Sequence, residues 1–340
     1  ETKHEFWVSG STYIDTEKTY NSYGLVTQGK DPRDKATNFT YDSYNLNIAT
    51  TTNPLSHVTE VYYDLSSGQA ATTTDLNGRV FVTVFDALDR PLTQKEPDHT
   101  TPSTLVTVLE KEYTDTVGSR RVKDTAYLNS ATSTESYTYL DGSDRIIQKR
   151  VEAEGTNTYA ATDFTYDALG RLKKEGLPYF GTGSARTAAT SDTTLYTTYT
   201  YDPLGRVSSL VDALGTTSYT YDQWETIITD AESNPKDHHT DAYGNLVTVE
   251  EHNGASTYTT SYTYNKNDAL TSITDALSNV RNFTYDGLAR LTKSEDLHAS
   301  GDTTFASTTL YYDNSGNVTQ RFTDKDGEIA STYDDINRPL

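Results

Sequence analysis

The stretch YTYDPLGRVSSLVDALGTTSYTYD, residues 199–222, states one phrase twice. Tyr-x-Tyr-Asp-x-x-Gly-Arg-Val gives way to Asp-Ala-Leu-Gly, and the chain then returns to Tyr-Thr-Tyr-Asp. Asp-x-x-Gly-Arg reads as a turn. The Asp carboxylate can take the amide two residues on, and Gly supplies the positive φ that closes a type I turn with a bulge. Ahead of the turn, Tyr-Thr-Tyr puts both tyrosines on one face of a strand. The stretch is therefore strand, turn, strand, and a second turn.

The phrase recurs along the chain. Tyr-Asp pairs stand at Tyr41-Asp42, Tyr63-Asp64, Tyr166-Asp167, Tyr201-Asp202, Tyr221-Asp222, Tyr285-Asp286, Tyr312-Asp313 and Tyr333-Asp334, with Gly170-Arg171, Gly205-Arg206 and Gly316 completing the turn. Degenerate copies sit at Phe85-Asp86, Tyr113, Tyr139, Asp241 and Tyr264, and many anchors are 20 to 23 residues apart. Asp75, Asp212 and Asp275 mark a second beat halfway between. Each half-unit then holds a strand of about six residues and a turn of about four. This defines an all-β fold: a long continuous antiparallel sheet of repeated β-hairpins, curled by its own twist into a spiral shell or rod segment. Asn45 and Asp89 can replace the turn Gly, whereas Ala289 and Thr226 are poor substitutes and predict altered turns. Arg171 and Arg206 are expected to stack on the tyrosines that enter their own turns, Tyr166 and Tyr201.

Composition agrees with an open, thin β structure. Only 34% of the chain is hydrophobic, yet it holds 27 Tyr, and Tyr and Thr suit half-buried strands. A disordered chain would be poor in these residues. A net charge of −21 argues against nucleic-acid and anionic-membrane partners, and no apolar run is long enough to span a bilayer. Cysteine is absent, so there is no disulfide framework or thiolate site. Methionine is absent even at position 1, which leads to the expectation of an internal or processed segment of a longer protein.

YDALGRL at 166–172 and YDPLGRV at 201–207 resemble the YD repeats of the rearrangement-hotspot (Rhs) family, and the resemblance covers roughly residues 38–340. It implies hairpins laid side by side in a sheet that spirals into a hollow shell. Family members include bacterial polymorphic toxins, the cocoon of insecticidal Tc toxins, wall-associated proteins and teneurins. The DPxGL-type core motif of toxin members is absent; DPLG at 202–205 lies inside an ordinary repeat. On this basis residues 1–37 are a poorly matched start, and 38–340 are about a dozen tandem units of 20–27 residues with an insertion near 178–194, truncated at the C-terminus.

The resemblance implies a non-enzymatic scaffold of a secreted or cell-surface protein that encapsulates or presents a toxin or effector. An extracellular adhesin or appendage that binds glycans or proteins of another cell is the alternative. One sheet residue covers about 16 Å², so the 340 residues cover roughly 5,400 Å². A guest of about 200 residues needs roughly 8,500 Å² of wall. The expected partners are thus the rest of a longer polypeptide or neighbouring subunits, with an encapsulated effector or surface glycans beyond them.

Candidate chemistry is sparse. Tyr and Asp of each pair point to opposite faces of a strand, so they are read as scaffolding rather than a proton-transfer dyad. Asp237-His238-His239, with Asp241, could suggest a metal site, but the neighbouring histidines face opposite ways in a strand and no third ligand has zinc-like spacing. No catalytic residue, metal ligand or cofactor is expected; the Asp-rich turn at 324–328 leaves Ca²⁺ as a weak exception. Glu250 and Glu251, or Glu110 and Glu112, are pairs that arise by chance among 49 acidic residues. Glycosylation sequons at Asn38, Asn282 and Asn317 include two that the repeat itself explains.

Overall fold

The computed structural model describes residues 2–129, 131–187 and 196–340. Among them there is no helix, and thirty strands run from Thr2–Ser9 to Gly327–Ala330. The all-β hairpin repeat expected from the sequence is the fold observed. The chain divides into two compact units. The first comprises Glu1–Val58, Thr220–Thr229 and Ser233–Leu340; the second comprises Thr59–Tyr219 and Asp230–Glu232.

In the first unit, Thr2–Ser9, Thr12–Tyr20, Val26–Lys30, Ala36–Tyr41 and Ile48–Thr52 pair antiparallel in chain order. The same rule carries the chain from Glu225–Thr229 through Pro235–Thr240, Leu246–Asn253, Ser256–Tyr264 and Leu270–Thr274 to Asn279–Tyr285. That last strand forks. Phe283 to Tyr285 pair with Leu291–Glu295, whereas Asn279 and Val280 pair with His298–Ala299. The ladder resumes from Leu291–Glu295 to Ser307–Tyr312, Val318–Thr323 and Gly327–Ala330.

The early and late stretches of this unit meet at their turns. Arg33 donates through Nε to Ser315 Oγ at 3.1 Å, and through Nη2 both to the Asp334 carbonyl at 3.0 Å and to Asn337 Oδ1 at 2.7 Å. Lys35 pairs with Asp335 at 2.8 Å, and the Gly287 amide donates to the Val8 carbonyl at 2.7 Å. Turns some 280 residues apart in sequence thus lie side by side.

The second unit repeats the meander, from Ala70–Thr74 and Val80–Phe85 onwards to Val207–Asp212, which pairs with residues 215–218. It contains the same fork. Strand Thr158–Tyr166 pairs through Phe164 to Tyr166 with Leu172–Gly176, and through Thr158 to Ala161 with Tyr179–Thr182. Leu172–Gly176 then pairs with Tyr196–Tyr201. Part of the insertion at 178–194 is therefore strand; residues 188–194 lie outside the described residues.

Local chemistry explains the register. At the Tyr-Asp turns the ladder slips by one residue: Thr200 faces Ser209, but Tyr201 faces Val207, whereas across the half-beat turn at Asp75 the register from Thr72 to Thr74 is unbroken. The slip is a β-bulge in the departing strand, where three residues from Val207 to Ser209 face two, Tyr201 and Thr200. In several of the Tyr-Thr-Tyr and Phe-Thr-Tyr copies the middle Thr is exposed and meets a hydroxyl across the ladder, whereas Thr138 and Thr165 are half-buried and face Lys149 and Lys174. Thr40 and Thr50 are 2.6 Å apart, Thr200 and Ser209 2.7 Å, and Thr263 and Thr271 3.0 Å. Such cross-strand pairs, more than a core, hold a single-layer sheet. Accordingly the chain exposes 20950 Å², whereas a compact 37.7 kDa protein would expose about 13,800 Å². The buried apolar residues Tyr137, Tyr139, Tyr159, Ala161 and Tyr196 all lie in the second unit.

Candidate functional site

The repeated Tyr-Asp phrase builds one clasp many times. In Asp202–Arg206 the amides of Leu204 and Arg206 each donate to Asp202 Oδ1 at 2.9 Å, and Arg206 Nε donates to Oδ2 at 2.7 Å. The Asp202 amide returns a bond to the Arg206 carbonyl at 2.9 Å, and the Gly205 amide donates to the Asp202 carbonyl at 3.0 Å. Asp167, Asp141, Asp86 and Asp334 repeat the pattern with Arg171, Arg145, Arg90 and Arg338. Where Asn replaces Arg, its side-chain amide serves: Asn245 on Asp241, Asn317 on Asp313, and Asn279 on the half-beat Asp275.

These bonds favour the carboxylate. The Arg90 backbone amide, followed by the Arg90 side chain, holds Asp86 below the usual carboxylate range against the cost of burial. At Asp202 burial pushes upward, and the bonds from Arg206 outweigh it. The Ser66 hydroxyl and amide do the same for Asp64.

Seven of the tyrosines finish a different turn from their own. Tyr201 Oη donates to the Leu172 carbonyl at 2.6 Å, the residue that follows the preceding clasp. Tyr41 bonds Val26, Tyr166 Ile146, Tyr264 Leu246, Tyr285 Leu270, Tyr312 Leu291 and Tyr333 Val318, all at 2.8–2.9 Å except Tyr312 at 2.7 Å. The Arg–Tyr stack follows the same offset. The Arg171 guanidinium lies 4.4 Å from the Tyr201 ring centre, Arg145 4.5 Å from Tyr166 and Arg290 4.6 Å from Tyr312. The expected stack of Arg171 on Tyr166 is corrected accordingly. The hairpin aligns the Arg with the tyrosine of the next strand across, so its partner belongs to the next repeat.

The substitute turns divide. Asn45 and Asp89 take positive φ of 55° and 61°, as expected for stand-ins for Gly. Ala289, expected to alter its turn, instead adopts φ 60° and keeps every clasp bond, with the Leu288 and Arg290 amides 3.0 Å from Asp286 Oδ1. The Asp286–Arg290 pair, at 2.7 Å, overrides the preference of Ala. At Tyr221-Asp222 the turn is altered: it shrinks to Gln223-Trp224, with Gln223 at φ 49°. The Asp64 turn is one residue longer, with Gly68 at φ 70°.

A second cluster was not visible in the sequence. Gln148, Arg150 and Asp163 are the largest fully buried side chains, in the second unit. Asp163 accepts from Gln148 Nε2 at 2.6 Å, Tyr179 Oη at 2.9 Å and Tyr196 Oη at 3.3 Å. Arg150 donates to Thr187 Oγ1 at 3.1 Å and to the Thr182 carbonyl at 3.4 Å, while its Nε has no partner among the described residues. Burial, then the Asp163 charge, pushes Tyr196 up to about 12. Residues 181–187 lie over this cluster, and Tyr139 Oη donates to the Ser184 carbonyl. The cover is the insertion, whose Gly, Ser and Thr content signalled only a loop.

The other candidates separate. His238 and His239 occupy successive ladder positions and so point to opposite faces, and Asp241 is committed to its turn. His239 lies 3.6 Å from Glu225, and Glu251 pairs with Lys236. Asp237, Glu250 and His252 do converge.

Strands, clasps and offset tyrosines define a class: a sheet of β-hairpin repeats whose signature side chains bond turn amides and backbone carbonyls. The family model described as RHS Repeat matches residues 201–234, so the stretch that decides the fold is an RHS repeat. The fold resembles a TcdB2-TccC3 crystal structure, at TM-score 0.76 and 15% identity over 98% of this chain and 20% of that one. A TcdB2-TccC3-TEV structure matches at TM-score 0.77 and 12% identity, over 99% of this chain and 23% of that one. The Photorhabdus luminescens Tc holotoxin pore with a mutated TccC3 matches at TM-score 0.77 and 14% identity over the same shares. This chain thus spans about a fifth of the length of the chains it matches, and it shares the fold of the parts matched. No curated protein matches it in sequence.

Proposed function

We propose that this chain is a non-enzymatic wall segment of a large secreted or cell-surface YD-repeat protein, which encloses or presents a toxin or effector. The observation that carries this is the fate of the signature side chains. Tyrosine hydroxyls are spent on backbone carbonyls and Asp carboxylates on turn amides, so the repeat builds sheet rather than a reaction centre. Supporting it, the similar structures are of TcdB2-TccC3 and a Tc holotoxin pore, and a sheet too small to enclose a guest is consistent with a wall continued by further polypeptide or subunits. The test is protease protection of the effector in the full-length protein. The wild type should shield it, and Tyr166→Ala combined with Tyr201→Ala should expose it; equal cleavage in both overturns the reading.

A binding surface is the second reading, favoured by aromatic turn tips. Tyr44 is 60% exposed and Tyr243 84% exposed, each two residues beyond a clasp Asp. A glycan array with Tyr243→Ala as control decides it: hits lost in the variant support an adhesin, and no reproducible hits remove it. The insertion is a poorer target, because residues 181–187 cover Arg150.

A further inference from the structure

In the first unit, strands Pro235–Thr240 and Leu246–Asn253 set Asp237 directly opposite Glu250. Two like charges facing across a ladder destabilise it unless something lies between them. His252, two residues from Glu250 and so on the same face, brings Nε2 to 2.9 Å from Asp237 Oδ2. Its other ring nitrogen, Nδ1, lies 3.1 Å from Oγ1 of Thr257, its ladder partner. One ligand atom from each of Asp237, Glu250 and His252 lies within 4.8 Å of the others, and all three residues are half-buried. The Glu250 carboxylate has no hydrogen bond or ion pair among the described residues.

We propose that Asp237, Glu250 and His252 form a site for a divalent transition-metal cation of the zinc type. One imidazole and two carboxylates suit such an ion, whereas Ca²⁺ prefers six to eight oxygens. Ligands about 2.1 Å from a tetrahedral ion lie about 3.4 Å apart. The His252–Asp237 pair, now at 2.9 Å, parts by about 0.5 Å, and Glu250 swings inward by rotation of its side chain. Thr257 fixes the ring with Nε2 inward, the role an outer partner plays for metal-binding histidines. Water completes the coordination. The ion would neutralise the opposed carboxylates and staple two strands of the ladder.

The sequence hides this site because its residues become neighbours only through register. The adjacent His238 and His239 draw attention, yet His238 faces the other way and His239 pairs with Glu225.

The test is isothermal titration of the chelator-treated protein with ZnCl₂, and separately with CaCl₂. One Zn²⁺ per chain should bind, with no heat from Ca²⁺. His252→Ala and the near-isosteric Glu250→Gln should each weaken Zn²⁺ binding at least tenfold, and Thr257→Val about tenfold. His238→Ala should bind as the wild type does. Should His252→Ala fail to fold, Glu250→Gln carries the decision. Absence of Zn²⁺ binding, equal binding of Ca²⁺, or wild-type affinity in Glu250→Gln would overturn the proposal.

Discussion

At the scale of the residue, the clasp converts two short motifs into backbone geometry. One carboxylate takes two turn amides and a side chain, which leaves the turn few other states. Ala289 shows how strong this is, because it holds φ 60° where L-residues pay about 1–2 kcal/mol. Ala289→Gly removes that strain and adds unfolded-state entropy, for a net gain of about 0.5–1 kcal/mol. Urea unfolding should show a higher midpoint at an unchanged slope, and a lower midpoint would contradict this account. The clasp also sets the acid response. Asp86, Asp141 and Asp334 titrate below their ordinary value of 3.8, so their contribution is complete above it and is lost as pH falls through the depressed values. The urea midpoint should therefore change little between pH 6 and 5, and fall steeply below about pH 4. Clasp chemistry was legible in the sequence because Asp-x-x-Gly is a local device. The Tyr–Arg partnership was not, since it joins one repeat to the next and the offset is set by the hairpin.

At the scale of the element, the forks are what periodicity could not give. Thr158–Tyr166 and Asn279–Tyr285 each share their length between two partners, and the segment between returns to the ladder. The sequence marked one as an insertion and left the other, near residues 296–306, unnoticed. Packing at the first fork depends on Gly176. A Cβ there would sit 3.1 Å and 3.2 Å from the Asp163 backbone N and O, atoms that cannot swing aside. Gly176→Ala should cost about 1–3 kcal/mol. It should also raise amide exchange in Thr158–Tyr166 while leaving strands of the first unit unchanged. Uniform exchange across both would show that the fork is not a local structure. The buried trio of Gln148, Arg150 and Asp163 was likewise illegible, because polar strand residues read as exposed until a cover is known.

At the scale of the whole molecule, long-range order rests on turns that touch turns. Within the first unit, a side chain on Gly287 would collide with Trp7 and the Val8 carbonyl. Gly287→Ala in a Trp224→Phe background should red-shift Trp7 emission and speed proteolysis within Thr2–Tyr20, and unaltered emission would refute the contact. That such contacts exist could be anticipated from strand number; which turns meet could not, because it depends on twist summed over many hairpins. The offset between each tyrosine and the turn it finishes has a temporal consequence. Leu172 waits for Tyr201, Leu291 for Tyr312 and Val318 for Tyr333. During synthesis from the amino end, a hairpin stays provisional until its successor emerges, so the sheet sets behind a growing front one repeat deep, and a pause in elongation leaves a single soft unit rather than a collapsed chain.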